Sequence, residues 1–513
     1  MGILKGLNNV DLSRYSNWHL AGLTIIGLSL LFTIHCIVSA VYHIFLSPLR
    51  NVPGPKLWIA FPSLQHIVFL RGDLDKALLQ LHNKYGHVVR IGPREVSFNN
   101  AQAWQEIYGH GQNFAKANFF EEPEGLPDHL ISANQADHSR YRKAMSNAFS
   151  EKSLRLQEPL IKVHVDLFLK RLRDLSALGE KVDMVKWLHL VTFDLIGDLA
   201  FGEPFGCLEK SDEGSFVRDM FYFIKAGAYL KVIQDYALLK RLLWFLTPKH
   251  LVEARAAQLH LAHTVSMKRM NNSEQQGRGD FMDSMVERRN KPGGLTDLEI
   301  MVNSNILISA GAETSATTIS ASIFYLLKNP TVLAKVQQEV RSAFQNAEEI
   351  NFITSTARLP YMIASITEAM RMFPPLPGTL PRLTPDNKMT TLSGYDIPPN
   401  VIVGVNQWSA NRDERNFHRA NEFIPERWLK EINKDPTSPF YHDQRDVAQP
   451  FSVGPRNCIG RNLAYTETRT ILALLLFEFD IELCTESQNW QDQKTWFWWD
   501  KHKMWLRICS RNG

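Results

Sequence analysis

The chain has 513 residues, 44% hydrophobic and 21% charged, an ordinary globular balance that supplies a large core. A formal net charge of +4 without a dense Lys/Arg run speaks against nucleic-acid binding. Five widely spaced cysteines (Cys36, Cys207, Cys458, Cys484 and Cys509) with no CxxC pair speak against a disulfide framework or a zinc cluster and suit a reducing compartment.

No Asp, Glu, Lys or Arg occurs from Trp18 to Leu49, and Leu20–Tyr42 is apolar over more than the roughly 20 residues that a bilayer crossing needs. This predicts a transmembrane anchor over 18–46, preceded by a short flank, 1–17. A secretory signal is the rival reading, but its apolar core is shorter. Lys5 and Arg14 on one side and Arg50 and Lys56 on the other leave orientation open. Pro53-Gly54-Pro55 then reads as a stiff hinge, 47–58, leading into one body, 59–513.

Within that body, β-like runs occur at His87–Phe98 and Tyr395–Val405, and most of the remainder is helical. The expected fold class is mainly α with a minor β portion (α+β) in one domain. The polar stretches Asn271–Gly294 and Lys434–Asp446 read as surface connections. Thr296-Asp-Leu-Glu299 forms a capping box, and the apolar pattern behind it runs to Asn329-Pro330. The helix so defined is about 45 Å long, enough to span the domain. Its middle, Ala310-Gly311-Ala312-Glu313-Thr314-Ser315, places a carboxylate and hydroxyls where burial makes them costly unless they serve a purpose. Thr314 can donate to a carbonyl one turn earlier.

The most informative segment is Phe451-Ser-Val-Gly454-Pro-Arg456-Asn-Cys458-Ile-Gly460. A lone buried cysteine is usually inert; this arrangement asks for more. Gly454 and Gly460 permit close backbone approach to a flat macrocycle. Arg456 supplies a cation for a carboxylate, Phe451 an aromatic cover for the sulfur, and the helix starting after Gly460 a dipole that favours a thiolate.

This loop resembles the haem-binding segment of the cytochromes P-450. AGAETS resembles the oxygen-activating part of their central helix, Glu368-Ala-Met-Arg371 their ExxR pair, and Pro425-Glu-Arg427-Trp428 their PERF segment. ExxR alone is weak, since such pairs are common on helices; four motifs in order are specific. The resemblance, which extends to the anchor and the Pro-Gly-Pro hinge, implies a cytochrome P-450 fold and a monooxygenase using haem b and dioxygen. Cys458 would be the axial ligand. Glu313 and Thr314 would relay protons, with Ala310 against the haem. Arg142, Arg382 and Arg456 would hold the propionates, helped by His138, one helical turn before Arg142. Glu368, Arg371 and Arg427 would form a structural charge network. PERW for PERF keeps the aromatic character.

The wording around Val405–Leu429 resembles filamentous-fungal members that oxidise secondary metabolites. That resemblance implies a lipophilic substrate (terpenoid, polyketide or alkaloid), an NADPH-cytochrome P-450 reductase as electron donor with cytochrome b5 as a second, and contact with membrane lipid. It also implies a single-pass endoplasmic-reticulum location with the catalytic domain facing the cytoplasm. Substrate contacts would come from Ala115–Ile131 (with Phe119 and Phe120), Phe216–Leu239 (with Tyr229), Asn303–Thr314, Pro375–Leu380 and Thr495–Trp499. The competing readings are a reductase-independent haem-thiolate isomerase or dehydratase, which the Glu313-Thr314 pair opposes, and a non-catalytic haem sensor.

Overall fold

The computed structural model describes residues 17–117, 125–236, 249–272 and 277–511. Phe119 and Phe120 lie outside them.

The first helix, Asn17–Val41, continues into a π-helical turn, Tyr42–Leu46. Its 21–46 stretch is long and apolar enough to cross a membrane, and none of it is buried against the body. The segment read as a hinge is firmly docked. Leu49 and Val52 are buried. The Arg90 N–H donates to the Pro53 carbonyl at 2.7 Å, and a Cβ on Gly54 would lie 2.0 Å from the Arg90 carbonyl oxygen. The Arg90 guanidinium donates to the His43 carbonyl at 2.8 Å and to Ser47 Oγ at 3.3 Å, tying the end of the apolar helix to the first strand. Pro53-Gly54-Pro55 uses its stiffness to lay the chain on the body.

The minor sheet portion has five strands in the order Val88–Gly92, Glu95–Phe98, Ile402–Val405, Arg382–Leu383, Ala115–Lys116. Its first two strands pair antiparallel within the β-like run His87–Phe98, and Glu95–Phe98 pairs parallel with Ile402–Val405.

Helices make up the rest of the body. The central one spans Asp297–Lys328, with both arms of the Thr296/Glu299 capping box formed. Asn329 ends it, and Pro330 opens the next helix, where its missing N–H matters least. It packs along Met184–Phe201, in which every residue except Lys186 is buried. The buried polar side chains of Met184–Phe201 are paired: Asp194 accepts from the Cys207 N–H at 2.9 Å and Asp198 meets His164 at 3.0 Å. Gly311 makes the contact close: a Cβ there would meet Ile196 Cδ1 at 2.9 Å.

Both polar stretches depart from the expectation of surface connections. Asn271–Gly294 contains a helix, Phe281–Val286, and Asp280, which pairs with Arg269 at 2.9 Å in full burial. Lys434–Asp446 delivers Asp443 to the interior. In each case an arginine elsewhere demands the carboxylate.

Candidate active site

The Cys458 N–H donates to the Phe451 carbonyl at 2.9 Å, closing the loop. Gly454 has φ +74°, and a Cβ on it would lie 1.8 Å from the Tyr108 carbonyl oxygen. Among protein atoms, that backbone approach is what demands glycine here. Gly460 is less constrained, since its Cβ would meet only Cys458 Sγ and Phe149 at 4.0 Å. The Phe451 ring packs on Tyr465 with centroids 4.9 Å apart. Cys458 is exposed although protein closely surrounds it. Burial pushes its thiol up, while the Gly460 N–H, Arg142 and Arg461 pull it down. It stands three residues before Arg461, the start of the helix Arg461–Glu478, whose N-terminus favours negative charge.

Cations converge beside this loop. Arg142 donates to the Asn457 carbonyl at 2.6 Å and to Asn457 Oδ1 at 2.5 Å. Arg456 donates to the Ala133 carbonyl at 2.8 Å and leaves its other terminal nitrogen buried without a partner. Arg382, buried, donates to its neighbour Pro381 O at 3.1 Å and lies over the Tyr108 ring. His138 is buried; burial, Arg456 and Arg142 lower it to about 4. Lys116, which the sequence reading missed, sits directly across the strand pair from Arg382 and donates to the Ile131 carbonyl. Burial, Arg382 and Arg456 bring it down to about 7.

Like charges opposite one another on paired strands repel. Among the described residues no carboxylate pairs with Arg142, Arg382, Arg456 or Lys116. Such a cluster fits an anionic group with two carboxylates, and the neighbouring thiol fits its iron. The residues present therefore fit haem.

Glu313 and Thr314 lie on the central helix. The Thr314 hydroxyl donates to the Ala310 carbonyl at 2.6 Å, the back-bond its position suggested. Ala310 contributes that carbonyl. Glu313 is almost fully buried: Oε1 meets Lys501 Nζ and accepts from the Thr317 hydroxyl at 3.2 Å, and Oε2 lies 2.9 Å from His189 Nε2. Burial would raise its carboxyl, but Lys501 and His189 outweigh burial and hold it below the usual range. Sequence reasoning missed both partners. Lys501 stands 188 residues away, in an aromatic run where a lysine was the available signal.

Glu368 accepts from Arg371 twice at 2.8 Å, from Arg427 at 3.1 Å, from the Ile424 N–H at 2.9 Å and from the Trp428 indole at 2.8 Å. Arg371 also donates to the Asn411 and Ala420 carbonyls, and Arg427 pairs with Asp443. Trp428 thus does more than keep an aromatic: its N–H completes the shell of a buried carboxylate, which phenylalanine cannot do.

The aromatic run after Thr495 divides. Trp499 stacks on Phe373 with centroids 4.0 Å apart and donates to the Pro374 carbonyl, and Trp496 donates to the Leu70 carbonyl; both are buried. Phe497 and Trp498 remain half-buried, and Phe497 holds φ +114°, a strained value for a bulky residue.

A thiol just before a helix start, beside cations that have no carboxylate partner among the described residues, together with an acid–alcohol pair on the central helix, fits a haem-thiolate oxygenase site. The cytochrome P450 family model matches residues 52–504, and the chain belongs to that family. Within it the chain is a monooxygenase. It is 46% identical to a trichothecene C-4 hydroxylase of Trichoderma arundinaceum, over 92% of this chain and 95% of the relative. It is 42% identical to the monooxygenase olcB of Penicillium canescens, over 93% and 97%, and 37% identical to an averantin hydroxylase of Dothistroma septosporum, over 95% and 91%. Its similarities are thus to fungal monooxygenases of secondary metabolism, and its substrate is a lipophilic molecule oxidised with dioxygen.

Proposed function

We propose that this monooxygenase hydroxylates a polycyclic secondary metabolite, with a trichothecene skeleton as the first candidate. The cation cluster beside Cys458, with no carboxylate partner among the described residues, is the observation that carries the haem-based reading. Arg142, Arg382, Arg456 and Lys116, with His138, hold the two carboxylates of a haem b, and Cys458 ligates its iron. When bound, that group accepts electrons and activates dioxygen. Residues 18–46 anchor the protein in the endoplasmic-reticulum membrane, 47–58 connect, and 59–513 form a catalytic body on the cytoplasmic face. There an NADPH-cytochrome P450 reductase donates electrons, with cytochrome b5 as a second donor.

The chain's own residues then do four things. The cations fix the haem's orientation. Glu313 holds a proton path into a site closed to bulk water, because its carboxylate is buried and bridged to two titratable groups. Thr314 carries a hydroxyl next to it that can exchange its Ala310 bond for one to the reacting oxygen. Phe497 and Trp498, the half-buried aromatics between Trp496 and Trp499, contact the substrate, in keeping with an apolar ligand that has few polar handles.

The test is reconstitution with the reductase, NADPH, ¹⁸O-labelled dioxygen and a trichothecene lacking the C-4 hydroxyl. The expected product gains one labelled oxygen atom. A product without label, or turnover without reductase, would overturn the monooxygenase role for this substrate.

A further inference from the structure

The site described so far leaves open how a proton reaches Glu313 from water. The side chain of Glu313 is 1% exposed and that of Lys501 2%. Neither can exchange with bulk solvent directly. Lys501 is engaged twice: it meets Glu313 Oε1 and donates to the Thr317 hydroxyl at 2.6 Å. The other oxygen of Glu313 faces His189 Nε2 at 2.9 Å, and the far side of that imidazole, Nδ1, lies 3.7 Å from Glu213 Oε1. Exposure rises along this line, from 1% at Glu313 to 8% at His189 and 30% at Glu213. Three titratable groups therefore run in order from the central helix to the surface.

We propose that His189 and Glu213 form the entry through which protons reach Glu313, with Lys501 holding the carboxylate in register. This rests on the reading of Glu313 as a proton relay. A proton arriving from water at Glu213 passes to His189 Nδ1, and the proton on Nε2 passes to Glu313 Oε2. One proton enters the ring and one leaves, so its charge is unchanged, and tautomer exchange resets it. Imidazole suits the task because it donates and accepts on opposite edges. A guanidinium in its place would hold its proton permanently.

The surroundings support that use. Burial and Lys501 work against a proton on His189, yet Glu313 and Glu213 outweigh them and keep its pKa above the ordinary value. Glu213 stays below the usual carboxylate range, chiefly through the neighbouring His189. The charged groups facing this ring are Glu213, Glu313 and Lys501, with Asp183 and Lys186 at the start of its own helix. The purely structural alternative is that His189 only neutralises Glu313. Lys501 already supplies one cation for that carboxylate, and a neutralising role gives Glu213 no part.

The test uses the full-length, haem-loaded enzyme with purified reductase and NADPH, and dioxygen as the sole electron acceptor. The readout is hydrogen peroxide released per NADPH consumed. Two electrons and two protons yield peroxide; four of each yield two waters, so starved proton delivery drives the ratio toward one. Glu213→Gln lies near the surface and keeps the fold. It is expected to raise the ratio several-fold with an unchanged reduced carbon monoxide spectrum and unchanged thermal unfolding. His189→Asn should raise it further and flatten its dependence on pH between about 6 and 9. The double variant should go no further than His189→Asn alone, as expected for residues in series. Glu313→Gln separates the two levels of the argument. If it leaves the ratio at the wild-type value, the relay reading of Glu313 fails. If it raises the ratio while Glu213→Gln and His189→Asn do not, only the entry route is overturned.

Discussion

Glu368 and Glu313 are both buried carboxylates on helices that flank the site, and their surroundings differ in kind. Glu368 is bound by two arginines, an indole and a backbone N–H, and its second-layer partner, Asp443, is buried as well. Every charged side chain of that network is buried. Glu313 is bound by a lysine and an imidazole, and the imidazole leads to a half-exposed carboxylate. The first arrangement fixes charge and so fixes structure. The second leaves charge free to move. Burial of an acid therefore does not by itself assign a role; the titration range and exits of its partners do. Glu467 completes a series: it is buried with only the Ser315 hydroxyl at 2.8 Å, and burial pushes its carboxyl up to about 8. Among the described residues no cation pairs with it, and its raised pKa favours the protonated form.

Four substitutions separate these kinds of buried acid. Arg371→Ala strands Glu368 in the interior and should cost about 3–5 kcal/mol, seen as loss of folded haemoprotein in thermal unfolding. If the variant unfolded like wild type, the structural reading of this network would fail. Trp428→Phe removes one charge-assisted hydrogen bond while keeping the ring, for about 1.5–3 kcal/mol by the same measurement. A neutral result would mean that Trp428 serves only as an aromatic.

Glu467→Gln tests the neutral member. Because folding raises this carboxyl from its ordinary range to about 8, wild-type stability is fully present below the ordinary value and is lost as pH rises toward 8. The glutamine variant carries no such loss. It should gain on wild type by up to about 1.4 kcal/mol per pH unit between roughly pH 5 and 8, and a constant difference across that range would contradict a protonated acid. Thr314→Ala should leave stability and haem content unchanged and send more NADPH to peroxide; intact coupling would remove Thr314 from the relay.

What the sequence made legible follows from how local each signal is. The central helix was readable to its ends because Thr296, Glu299 and Pro330 act within a turn of where they stand. The cysteine loop was readable because its turns and its ligand are contiguous. His189, Lys501, Lys116 and Asp443 were not, since each acquires its role by meeting a residue far along the chain, and nothing beside it in sequence marks the meeting. Trp428 was seen and undervalued: the acceptor for its indole, Glu368, lies 60 residues earlier. Pro53-Gly54-Pro55 was seen as stiff, but its docking on Arg90 depended on a strand not yet placed.

The most direct test of the central claim is the carbon monoxide difference spectrum of the reduced, detergent-solubilised protein, beside that of Cys458→Ala. The account predicts a strongly red-shifted Soret band in the wild type that the variant lacks. A band typical of histidine-ligated haem in the wild type, or the same red-shifted band in both proteins, would contradict thiolate ligation by Cys458 and every role derived from it.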